Sequence, residues 1–125
     1  MTGDNPFTPQ TNVRQSRPVF VYKVPHALSE GIKTIGISQL TGDDELMAAK
    51  RANSDPVQLA YEQVKQSIVE VDGKPVNLAD GSIDMAWKTM DPKVRSLLMA
   101  AYAKLHTPKE SEIEDFLSSQ EIRVA

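Results

Sequence analysis

Cysteine is absent from all 125 residues, which excludes a disulfide framework, a thiolate metal site and a cysteine nucleophile. Aromatic side chains are few, three Phe, three Tyr and one Trp, so a core has to be built mainly from aliphatic groups. No apolar run approaches the ~20 residues that span a bilayer, and the opening Met1-Thr2-Gly3-Asp4-Asn5-Pro6 lacks the basic and apolar blocks of a signal peptide. The chain is therefore expected to stay where it is made, with no membrane partner. A basic excess is missing as well: 14 Lys and Arg against 17 Asp and Glu leave a formal charge of −3. That balance gives no general attraction to phosphate backbones, and nucleic acid is not expected as a partner.

The chemical signatures of catalysis are missing too. Glycines stand singly, with neither a phosphate-cradling loop nor a Gly-x-Ser-x-Gly elbow. The two histidines, His26 and His106, lie outside any metal-binding spacing, and His106 suits the carbonyl-rich end of a helix. Asp43, Asp44 and Glu45 lack the spacing of a calcium loop and fit the start of a helix instead. The expectation is a protein that is not an enzyme, with no catalytic residue, cofactor or metal.

What is present organises the chain as one domain with a leading arm. Residues 1–17 hold Pro6, Pro9 and little to bury except Phe7 and Val13, too little to offset roughly 1–2 kcal/mol of backbone entropy per ordered residue. They read as a flexible arm, either without a role or ordering on a partner with Phe7 as anchor. Residues 18–125 read as a single α+β domain, mostly helical: an N-terminal hairpin, four to five helices, a short mid-chain hairpin and a short C-terminal strand.

Val19-Phe20-Val21-Tyr22-Lys23-Val24 is dense in β-branched and aromatic residues and stops at Pro25. Residues 32–40 form the second strand, and a bulge near Gly36 is needed to repair their slipped alternation. Thr41, three residues before Asp44, predicts a capped helix ending near Asn53. Asp55-Pro56 starts another, with Val57, Tyr61, Val64 and Ile68 at helical spacing down to about Glu70. An Asp72-Gly73 turn then joins two short extended segments, with Pro75 confining the second to an edge. Ile83, Ala86, Trp87 and Met90 mark a short helix, and Trp87 is expected to bury against Leu97, Leu98 and Ala101 of the next one, which starts at Asp91-Pro92 and runs to about His106. Thr107 with Glu110 predicts a capping box for the last helix, and Glu121-Ile122-Arg123-Val124 alternates like a strand. Met85, Met90 and Met99 accompany the apolar stripe as core residues, while Met47 stands with Lys50 and Arg51 on another helix.

Several of these features resemble the small tail assembly chaperones and neighbouring tail proteins of long-tailed bacteriophages. They are Leu40-Thr41-Gly42-Asp43-Asp44-Glu45-Leu46-Met47-Ala48-Ala49-Lys50, Val71-Asp72-Gly73-Lys74, the spacing of Trp87, Pro92 and Arg95, Ala101-Tyr102, and Phe116-Leu117-Ser118-Ser119. The likeness spans roughly residues 35–124. It implies a protein in the cytoplasm of a bacterial host that coats the tape-measure protein, keeps its helices from aggregating and helps recruit tail-tube subunits. The alternative is a small structural tail or head-completion protein retained in the virion by strand addition. Partner contacts are expected at Phe7, Met47, Lys50, Arg51, Ile122 and Val124, and a homo-oligomer is left open.

Overall fold

A computed structural model describes residues 17–124. The architecture is α+β, with a four-stranded antiparallel sheet in the order β1-β2-β3-β4 and five α-helices among the described residues. Strand β1 (Phe20–Lys23) and β2 (Thr34–Ile37) form the N-terminal hairpin, joined through a 3-10 turn at His26–Leu28. Helices α1 (Gly42–Ala52) and α2 (Pro56–Ser67) intervene before β3 (Ile68–Val71) returns beside β2 and turns into β4 (Lys74–Pro75). The chain then continues through α3 (Ser82–Thr89), α4 (Pro92–His106) and α5 (Glu110–Ser118).

A register shift falls between Gly36 and Ile37, where a bulge is expected, but its extra residue is Val69 on β3, so residues 32–40 are not themselves bulged. Plain alternation along β2 puts Ile35 and Ile37 on the core face, where both are fully buried. Gly36 lies on the opposite face against Glu70 and Val19, and a Cβ there would run into the Glu70 side chain. Strand β2 is shorter than the predicted residues 32–40 because its flanking amides find other acceptors. Lys33 and Thr34 donate their N–H groups to Asp72 Oδ1 at 2.7 and 2.9 Å, and the Leu40 N–H goes to His106 Nε2 at 2.9 Å.

Asp72 therefore does more than turn β3 into β4. It adopts a positive φ of 52°, followed by Gly73 at 78°, and its carboxylate holds the entry of β2 from across the sheet. The Thr34 and Lys33 amides together keep that carboxyl below its usual range. Asp72→Ala removes both acceptor contacts and puts alanine in the left-handed region, so a loss of about 1–3 kcal/mol is expected in urea melts. Asp72→Asn keeps a carbonyl acceptor and a residue tolerant of that region. Its loss should be under about 1 kcal/mol, and equal losses in the two variants would show that the side-chain contacts contribute nothing.

Helix α1 starts in the predicted capping box: Thr41 Oγ1 accepts from the Asp44 N–H while Asp44 Oδ2 accepts from the Thr41 N–H, both at 3.0 Å. It ends at Asn53 in the left-handed conformation. Asp55 caps α2 ahead of Pro56, and Asp91 caps α4 ahead of Pro92. Helix α2 stops at Ser67 rather than near Glu70, because Ile68, Val69 and Val71 lie in a β-branched run that pairs with β2.

Two expectations at the C-terminal end are corrected. Thr107 does not cap α5: its hydroxyl donates back to the Ala103 carbonyl at 2.6 Å, closing α4. Helix α5 begins two residues later than the Thr107 box would place it, and Glu112 Oε1 accepts from the Lys109 N–H at 2.8 Å. Residues 121–124 form no strand, since none of the described strands lies beside them.

Ile35, Ile37, Val64, Ile68, Trp87, Met90, Val94 and Leu98 form the core between the sheet and α2, α3 and α4. Trp87 is buried as predicted, in the same core as Leu98, with the Tyr61 ring centroid 5.7 Å away and the Arg95 guanidinium over its face. Leu97, expected to cover it, is exposed. Of the methionines assigned to the core, Met90 is buried, Met99 is half-buried and Met85 is 65% exposed. No helix among the described residues is long and apolar enough to cross a membrane.

Candidate protein-binding surface

The stripe on α4 is wider than one packed neighbour can cover. Val94 and Leu98 enter the core, whereas Leu97 and Ala101 sit beside β1 and line an apolar groove of about 360 Å³. Tyr22, Val24 and Pro25 form its opposite wall and Ile35 is also part of its lining. Lys23 and Lys104 are the charged residues of this lining, so the rim is wholly basic. Strand β1 contributes a second feature: among the described residues it is an edge of the sheet, and Phe20, Val21 and Tyr22 are all at least two-fifths exposed. The other edge, β4, is two residues long and contains Pro75, which lacks the N–H a further strand would need.

Helix α5 stands apart from the body. None of its residues is buried. Ile113, Phe116 and Leu117 follow the i, i+3, i+4 spacing of an apolar face, and Phe116 and Leu117 are 77% and 64% exposed. Its charged residues, Glu110, Glu112, Glu114 and Asp115, are all acidic. Beyond it, Ile122 and Val124 are almost wholly exposed.

The residues expected from sequence to meet a partner do not form one patch. Met47 and Lys50 are exposed on α1. Arg51 shares their helical face, but its Nε donates to Glu62 Oε1 at 2.7 Å and its guanidinium reaches Asp84 at 3.2 Å. Lys65 joins the same cluster, 2.9 Å from both Glu62 and Asp84, so the four side chains tie α1, α2 and α3 together. Lys65 chiefly, with Arg51, holds the Asp84 carboxyl below its usual range. Ile122 and Val124 lie in the tail after α5, and Phe7 falls outside the described residues.

Sequence reasoning missed the groove itself, Tyr22 and Leu97 above all, and did not single out Phe116 and Leu117 as a binding face. A signal existed in the adjacent Leu97-Leu98 pair, which makes the α4 stripe too broad for a single contact.

His106 has a structural place. Its Nδ1–H donates to the Tyr102 carbonyl and its Nε2 accepts from the Leu40 N–H, both at 2.9 Å, while its ring stacks on Tyr102. The neutral tautomer with the proton on Nδ1 satisfies both bonds. Among the described residues no group of three or more His, Asp or Glu is placed to hold a metal ion. The chain matches no protein-family model, no curated protein and no solved structure.

Proposed function

We propose that this protein is an assembly chaperone that binds a helical, apolar segment of a larger protein, and that the partner is the tape-measure protein of a long-tailed bacteriophage. One observation carries the binding role: an apolar groove with a lysine rim lies open between β1 and α4. An amphipathic helix laid in such a groove buries its apolar face there and turns its polar face to water. The two lysines favour a helix with acidic flanks. The resemblance to tail assembly chaperones supplies the identity of the partner, with tail-tube subunits recruited to the same complex.

The experiment is co-expression with the tape-measure protein and the tube subunit of the same phage, followed by purification of the complex and of finished particles. A complex that forms with the wild type and is lost with Leu97→Asp, together with particles lacking this chain, is the expected result. Full binding by Leu97→Asp removes the groove from the reading. A structural virion role is the second reading, favoured by the exposed edge of β1, which can accept a strand from a neighbouring subunit. Stoichiometric presence of the chain in purified particles selects that alternative.

A further inference from the structure

We propose that the β1–α4 groove of one copy receives helix α5 of a second copy, and that the exchange is reciprocal, so that two chains close a two-fold pair. The inference uses the groove on which the chaperone reading rests, but it requires no foreign partner.

Three observations match helix to groove. The first is chemistry: the groove offers apolar walls and a rim charged only by Lys23 and Lys104, while α5 offers Ile113, Phe116 and Leu117 on a helix whose charged residues are all acidic. Residues 1–16 contain one acidic and one basic residue and so lack this charge complement. The second is length. The nine residues of α5 make a helix of about 13 Å, and the α4 wall from Val94 to Lys104 runs for about 15 Å.

The third is the connection. Thr107 (φ −99°, ψ 125°) and Lys109 (φ −69°, ψ 156°) are extended on either side of Pro108. The Thr107 hydroxyl is bonded to α4, and the Lys109 N–H to Glu112 of α5. Beyond this link Phe116 and Leu117 of α5 are left in water. An extended hinge next to a helix that fits a groove on the same molecule is the arrangement from which protomers exchange elements. Because each copy has one groove and one helix, a two-fold pair satisfies both.

The absence of cysteine allows a clean cross-linking test on the full chain. Leu97→Cys and Phe116→Cys both change exposed positions, so unchanged thermal melts will show that the fold is intact. Oxidising an equimolar mixture should give a covalent dimer found in neither variant alone. The Leu97→Cys/Phe116→Cys double variant should likewise link between chains; a linked monomer would place α5 in its own groove and overturn the exchange. Sedimentation of the wild type should show a dimer, and Phe116→Asp should weaken it about 30-fold or more. A wild type that stays monomeric, or a dimer indifferent to both Phe116→Asp and Leu97→Asp, refutes the proposal. Tape-measure binding by a chain that remains monomeric would leave the chaperone reading standing while this one fails.

Discussion

Trp87→Ala should lower the stability of the domain by about 3–5 kcal/mol, the range for removing a large buried aromatic. The size follows from the surroundings. Trp87 is only 7% exposed and shares a core with Val64, Met90, Val94 and Leu98, and the Tyr61 ring packs against it at a tilt. Arg95 covers it from another side, with its guanidinium 5.2 Å from the ring centroid and its Nε 3.0 Å from the Trp87 carbonyl oxygen. Alanine keeps that carbonyl but leaves Arg95 without the ring, so a cation–π contact is lost with the apolar burial. For a domain of this size the melting temperature should fall by more than about 10 °C. Trp87 is the only tryptophan, so emission reports on this site alone. Native emission should be blue-shifted and shielded from quenchers; red-shifted, readily quenched emission would place the ring in water.

Helix starts were legible because a cap is a local device. Thr41 with Asp44, Asp55 before Pro56 and Asp91 before Pro92 each satisfy free amides within one turn, whatever the rest of the chain does. Thr107-Pro108-Lys109-Glu110 carries the same signature and misleads. Its hydroxyl has a competing acceptor at Ala103, four residues back, and takes that one. The boundary between α2 and β3 was not legible for a different reason. Ile68 continues the helical spacing of Tyr61 and Val64, and only pairing with β2 turns it into a strand residue. The alternation of Glu121-Ile122-Arg123-Val124 shows the converse: a strand pattern gives no strand where the chain is not laid beside one.

The binding surface was less legible, because its walls come from opposite ends of the sequence. Nothing local in Tyr22 or Leu97 reveals that β1 and α4 face each other across a groove. Arg51 illustrates the same limit from the other direction. At the end of a helix running from acidic to basic it reads as an exposed cation available to a partner, and the carboxylates that engage it belong to two later helices.

Those carboxylates set up the second large effect. Glu62 and Lys65 are nearly buried, and Glu62 receives both Arg51 at 2.7 Å and Lys65 at 2.9 Å. Glu62→Ala leaves two cations sharing Asp84, which is partly exposed, and removing one partner of a buried ion pair typically costs 3–5 kcal/mol. Because Asp84 remains, a loss near about 3 kcal/mol is expected. The loss should reflect the stranded charge more than a missing attraction. Glu62→Leu combined with Lys65→Leu should therefore recover most of it, and a double variant as unstable as Glu62→Ala would contradict that account. Acid titration gives an independent check through Asp84, whose carboxyl is held below its usual range chiefly by the Lys65 hydrogen bond. A carboxyl with a depressed native pKa stabilises the fold above its unfolded value of about 3.9, and that contribution disappears as pH falls through the native value. The wild type should lose stability more steeply than Lys65→Met below about pH 4, and parallel curves would mean that Lys65 does not hold the Asp84 carboxyl in solution.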